Sequence, residues 1–261
     1  MNRQSTTLEA ILKKDRLILI ICLVGISIIS WGYIVYLYKQ MYPMNMKAFL
    51  FAMPMTAAWS LTDFLLLFLM WFVMMVAMMT ASVAPLILIF AMVNRQKQQQ
   101  QNPYVPAGYL FAGYYFTWAI FSLLATLLQW ALQQVNWLNP DMVITHKILG
   151  AGILIVAGIF QFTSLKQRCL THCQTPVDFI HKKWAAGKTG AFKMGIQNGI
   201  YCLGCCWILM AVLFVAGIMN LLWIALITLF VLLEKLVPQY KWISFIAGAA
   251  LIGYGMFMLF I

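Results

Sequence analysis

Charge is what this chain has least of. Only 9% of its 261 residues are Asp, Glu, Lys or Arg, and just six are acidic, whereas a soluble domain carries about a quarter charged residues. That shortage excludes an ordinary soluble globule. No phosphate-cradling glycine loop, serine-centred triad or close pair of carboxylates occurs, which argues against an ATP-driven pump. No C-x-x-C-H haem-attachment sequence is present, and the paired C-x2-C spacing of common zinc modules is not met. The net charge of +11 does not point to nucleic acid, because the basic residues sit in short segments between apolar runs, where lipid topology accounts for them.

What the chain has is long apolar runs. Hydrophobic residues make up 64% of it, and about 20 apolar residues in sequence suffice to cross a bilayer. Seven such runs are legible, at residues 17–38, 59–93, 108–132, 142–162, 191–218, 221–233 and 242–261. The expected fold is therefore all-α: a polytopic transmembrane bundle of about seven spans, one integral membrane domain over 17–261. A basic lead at 1–16 with Arg3, Lys13, Lys14 and Arg16 precedes it. The first run ends in aromatic residues (Trp31, Tyr33, Tyr36, Tyr38) that suit an interfacial belt, with no small-residue cleavage site, so it reads as a span rather than a removable signal.

The loops set the orientation. Residues 39–58, with Met41, Met44, Met46, Met53 and Met55, and residues 133–141 read as outside loops, while 164–193 is the longest polar connection. Of 17 Lys and Arg, Lys39, Lys47 and Lys147 would lie outside, leaving 14 on the other face. The positive-inside bias then places the N-terminus in the cytoplasm. Membrane lipid is the first partner implied.

The six cysteines are not scattered. Cys202, Cys205 and Cys206 stand at i, i+3 and i+4, and so do Cys169, His172 and Cys173. On a helix these offsets bring three side chains onto one face within about a turn. Structural disulfides are not expected on a reducing cytoplasmic side. Metal binding, thiol redox chemistry through Cys202-Leu203-Gly204-Cys205, and plain helix packing remain as readings. Thiolates and imidazole select Cu(I) and Zn(II), and three thiols within a turn suit trigonal Cu(I), with zinc as the alternative. Cys22 stands alone and reads as a small apolar residue.

Around these clusters lie further candidates. Met74 and Met78 share one helical face and Met75 and Met79 another; thioethers bind Cu(I), which makes these four a candidate ion route, although methionine is also an ordinary core filler. Asp63, near one end of the same run, joins the route as an intramembrane acid or serves as a helix N-terminal charge. Tyr201, Trp207 and Glu234 flank the cysteines as candidate supporting residues, Glu234 alternatively as an interfacial ion pair with Lys235. His146 and His181 are weaker candidates.

Three blocks together resemble a known family. They are Trp71-Phe72-Val73-Met74-Met75-Val76-Ala77-Met78-Met79-Thr80 with Ser82 and Pro85; Phe160-Gln161-Phe162-Thr163-Ser164-Leu165-Lys166 through Cys169, Cys173, Pro176 and Phe179; and Gly199-Ile200-Tyr201-Cys202-Leu203-Gly204-Cys205-Cys206-Trp207 through Gly217-Ile218-Met219-Asn220-Leu221 to Glu234-Lys235. Spread over roughly residues 60 to 240, they resemble the DUF2182 family of predicted metal-binding integral membrane proteins. The resemblance implies a multi-pass protein of the bacterial inner membrane with metal as its ligand. The function expected is soft-metal handling, copper before zinc, in transfer, transport or delivery, with a metal donor, acceptor or membrane complex as protein partner. Catalysis is not implied. The alternatives are a non-catalytic subunit or scaffold whose cysteines pack helices, and a membrane thiol oxidoreductase.

Overall fold

In lipid, every backbone polar group has to be satisfied within its own segment, and unbroken apolar runs therefore wind into helices. The computed structural model describes residues 3–41, 60–98, 104–139, 142–237 and 240–260. Within them nine helices follow one another: α1 (Arg3–Met41), α2 (Leu61–Gln98), α3 (Gly108–Gln134), α4 (Lys147–Gln161), α5 (Ser164–Gln174), α6 (Pro176–Lys183), α7 (Gly187–Ala216), α8 (Leu221–Leu236) and α9 (Tyr240–Phe260). The only β pairing among the described residues is an isolated bridge between Leu138 and Ile144. The all-α bundle expected from the sequence is what the chain forms. Met44, Met46, Lys47, Met53 and Met55 of the expected outside loop lie outside the described residues, as do Gln99 to Gln101, Pro103 and Pro238.

The span count agrees approximately with the seven expected. Five helices (α1 from Arg16, α2, α3, α7 and α9 from Lys241) are long and apolar enough to cross a membrane, and six if α4 and α5 form one broken span bent by 62°. α4 and α8 are the short members of the set. α4 has 15 residues and α8 has 16, roughly 22–24 Å at 1.5 Å per residue, against a hydrocarbon core of about 30 Å. α4 is cut short by local hydrogen bonding, whereas α8 runs past the expected 221–233 to Leu236. The backbone N–H of Ile144 donates to Phe214 O at 2.9 Å and that of Thr145 to Trp137 O at 2.9 Å, so residues 142–146 are used in a turn and α4 starts at Lys147. α8 is fixed at its start by Asn220, whose side chain accepts from the N–H groups of Leu222 (3.2 Å) and Trp223 (3.5 Å). Gly217, at φ +98°, closes the tight turn expected there.

The long polar connection is also not a loop. Residues 164–183 form α5 and α6, and α7 begins at Gly187. Thr163 caps α5 by accepting from Lys166 N at 3.4 Å, and Pro176 opens α6 at the one helical position where its missing N–H is harmless. α5 then lies against α7, which brings the two cysteine segments together.

The tightest seam joins α3 to α7. A methyl on Gly195 would come within 2.1 Å of Leu110 O, one on Gly113 within 2.1 Å of Phe192 O, and one on Gly199 within 2.7 Å of Thr117 Oγ1. Small residues let two backbones approach this closely, the usual device of membrane helix pairs. The core beside the seam holds Met74, Met75, Met78 and Met79 of α2 with Trp71, Tyr114 and Trp118. Large apolar side chains such as Ile28, Ile29, Leu124 and Ile148 face outward, as a lipid-facing surface requires.

Candidate metal centre

Three helices build the sulfur site. α7 contributes Cys202, Cys205 and Cys206, all buried; their spacing on one helix guarantees that they share a face. α5 contributes Cys173, which lines the same small cavity as Cys202 and stands near Cys205. α2 contributes Met79, whose Sδ lies 4.0 Å from Cys202 Sγ. Five sulfurs from separate parts of the chain thus meet. The thiols of Cys205 and Cys206 each donate to the Cys202 carbonyl at 3.0 Å. Turned back in this way, no three His, Cys, Asp or Glu side chains among the described residues are already set around one point as the ligands of an ion.

Polar groups close the site on two sides. Lys235 Nζ donates to Cys202 Sγ at 3.0 Å and to Ser82 Oγ at 3.0 Å. The Tyr114 hydroxyl lies 3.0 Å from the same sulfur. Between these groups is a cavity of about 10 Å³ whose walls include Ser82, Pro85, Tyr114, Cys173 and Asn198, on the scale of a single water-sized occupant. Pro85 lies inside α2 and supplies no N–H to the carbonyl a turn before it, which loosens the helix where it borders the cavity.

The second candidate triad does not stay together. Cys173 enters the α7 cluster. Cys169 lies alongside Gly204: a methyl there would stand 2.9 Å from its Sγ. Cys205 also lies near the Cys169 thiol. His172 turns away, stacking on Tyr201 with ring centroids 4.3 Å apart and placing Nδ1 2.9 Å from the Arg168 carbonyl oxygen. Tyr201 therefore supports the histidine; Phe179 meets its other side edge-on at 6.4 Å. Trp207 is 45% exposed and packs edge-on to Phe160 at 6.1 Å, on the outer side of α7.

Met74, Met75, Met78 and Met79 are all buried, and Met79 links them to the thiols. Asp63 takes the bland alternative. Its carboxylate accepts from Ser60 N (2.9 Å) and Ser60 Oγ (2.8 Å), while Ser60 Oγ accepts from Asp63 N (3.3 Å). This reciprocal cap sits 11 residues before Met74, roughly 16 Å along the helix. His146 precedes α4, its ring 5.3 Å from that of Trp137, and His181 lies in the last turn of α6.

The Glu234–Lys235 ion pair considered from sequence is not formed. Glu234 instead pairs with Lys166 at 2.5 Å, the two side chains 2% and 1% exposed, and accepts from Ser244 Oγ at 2.5 Å. Lys166 also donates to Gln161 Oε1. Ser82, Lys166 and Lys235 stand within the three resemblance blocks without a role of their own there, and Tyr114 lies outside them. The one signal for Tyr114 was its position next to Gly113, on the glycine seam with α7.

A buried set of soft sulfurs inside a bundle of long apolar helices is a membrane-type architecture whose donors are of the kind that suit a soft metal. Residues 68–258, nearly three quarters of the chain, match the model of the PpoB2 family, described as a copper chaperone. The chain belongs to this copper chaperone family. No curated protein and no solved structure matches it.

Proposed function

We propose that the chain carries Cu(I) as its cargo inside the membrane and hands it to a protein acceptor, holding the ion on Cys202, Cys205, Cys206 and Cys173. The observation that supports this reading is the arrival of Cys173 from α5, with Met79 from α2, at the cysteine face of α7. Packing alone needs no such convergence, and thiolates with a thioether suit Cu(I).

Loading requires the thiols of Cys205 and Cys206 to rotate off the Cys202 carbonyl, and their protons leave as the metal binds. The Lys235 ammonium offsets the negative charge that thiolate ligands bring into a low-dielectric setting. Cys169, beside Cys205, offers the next sulfur toward the polar end of α5 and so an exchange step. The column Met74, Met75, Met78 and Met79 leads away along α2 toward Asp63. With the N-terminus cytoplasmic, the thiols occupy the cytoplasmic half of a bacterial inner membrane and the methionine column points outward. Zinc would demand a closed tetrahedral set, which Cys173 with the three α7 thiols would also satisfy, so the metal has to be tested directly.

The test is a competition titration of detergent-purified protein, under reducing conditions, against a Cu(I)-specific chelator and separately against a Zn(II) chelator. About one Cu(I) per chain is expected, lost in the C202S/C205S/C206S variant and weakened in C173S. A folded triple variant that holds Cu(I) as tightly as the parent sinks the proposal, and preferential Zn(II) retention reassigns the metal.

A further inference from the structure

The second polar centre of the molecule lies where α4 ends and α9 begins. A cavity of about 180 Å³ opens there, lined by Gln161, Phe162, Lys166, Leu170, Lys241 and Ser244 among others; one water needs only roughly 15 Å³ on this scale. Its floor is built rather than incidental. Gln161 is 2% exposed, and because its Oε1 accepts from Lys166 Nζ, its amide cannot turn over without setting two donors against each other. That leaves the Gln161 Nε2 donor buried with no hydrogen-bond partner, an arrangement that buried amides avoid unless a ligand or water completes it.

The charges around the cavity decide the kind of ligand. Lys166 and Lys241 both line the cavity, and the carboxylate that pairs with Lys166 is Glu234, whose Oε1 already serves Lys166 and Ser244. What remains is one positive charge in excess and an unused donor, which suit an anion. Apart from Gln167 and Ser244 the remaining walls are apolar: Phe162 and Phe245 meet edge-on at 5.4 Å, and Leu170 lines the cavity with them. Trp242, one residue after Lys241, is 72% exposed, as an interfacial aromatic is.

We propose that this cavity binds a phosphate group, that of an anionic phospholipid headgroup, with Gln161 Nε2 and the Lys241 ammonium as its donors and the phenylalanine wall against the glycerol and acyl stems. A basic pocket between helices at the membrane surface is a recurrent place for such headgroups. The same donors would accept free inorganic phosphate, and the experiment separates the two sources.

Native mass spectrometry of the full chain, released from bilayers of phosphatidylglycerol mixed with phosphatidylcholine, reads the first. The parent protein is expected to retain phosphatidylglycerol preferentially. Lys241→Gln, an exposed substitution, should cut that preference about fivefold, the effect of one surface charge. Gln161→Glu keeps an acceptor for Lys166 while placing a negative charge at the phosphate, and should abolish it. A thermal-shift titration with inorganic phosphate in a neutral detergent reads the second source. Stabilisation of the parent but not of Gln161→Glu, without any lipid preference, keeps the site and makes free phosphate its ligand. If the parent shows neither effect, or both variants match the parent, the proposal is overturned.

Discussion

Two lysines point inward from neighbouring parts of this bundle, and they are balanced in different ways. Lys166 meets a carboxylate, Glu234, in a nearly sealed contact. Lys235, the next residue along α8, meets no carboxylate among the described residues; it rests on Cys202 Sγ and Ser82 Oγ. Adjacent residues on a helix point about 100° apart, so a single Glu-Lys step in α8 serves two centres. The Lys166 pair holds the ends of α4, α8 and α9 together. Lys235 offers a positive charge to sulfur, which is useful only if the sulfur becomes an anion, as it does on binding metal. On the proposed function, one lysine belongs to the architecture and the other to the cargo.

The sharpest way to break this contrast is Lys166→Met. It strands the Glu234 carboxylate in the interior and should lower unfolding stability by about 3–5 kcal/mol, read as a fall in the thermal midpoint in detergent. Lys166→Met combined with Glu234→Gln should recover most of the loss. If the single variant unfolds like the parent, the pair is not structural. Lys235→Met should do the converse. Its thermal midpoint should move little, while Cu(I) affinity in the chelator competition falls by about 1.5–3 kcal/mol, the range for a hydrogen bond to a charged group. A large stability loss with unchanged copper affinity would exchange the roles assigned to the two lysines.

Tyr114 sharpens the comparison on the other flank of Cys202. Tyr114→Phe removes the 3.0 Å hydroxyl contact and should weaken Cu(I) binding by about 0.5–1.5 kcal/mol, less than Lys235→Met because no full charge is lost. The smallest effect on stability is expected at Gly204. An alanine there gains roughly 1 kcal/mol of helix propensity but presses on Cys169 Sγ, a side chain that can swing aside. Stability should change by under about 1 kcal/mol, while Cys169 alkylates faster as it is pushed outward; an unaltered alkylation rate would mean that Gly204 does not make room for Cys169.

These centres were unequally legible in the sequence. The helices could be read because an apolar run is a local property, and so could the common face of Cys202, Cys205 and Cys206, since three offsets on one helix fix it. What could not be read was tertiary. The grouping of Cys169, His172 and Cys173 assumed that neighbours on a helix act together, yet α5 lies so close on α7 that Cys173 faces its thiols, Cys169 faces Gly204 and His172 leans on Tyr201. The partner of Glu234 lies 68 residues away at Lys166, and no charge pattern announces it, while the adjacent Lys235 offered an obvious and wrong choice. α4 looked longer, over 142–162, because hydropathy does not register where a turn takes up backbone hydrogen bonds. Asp63 was ambiguous until Ser60 showed it to be a cap.

The glycine seam between α3 and α7 has a consequence for precision. Gly195 and Gly199 are four residues apart and each lies against α3. Sliding α7 by one turn, about 5.4 Å, would put Ala191 or Leu203 where a glycine must be, and either side chain would collide with α3. The two helices can therefore dock in one register only. Tyr114 on one and Cys202 on the other are held at fixed height by backbone contact, so the seam works as a ruler for the distance between a hydroxyl and a sulfur.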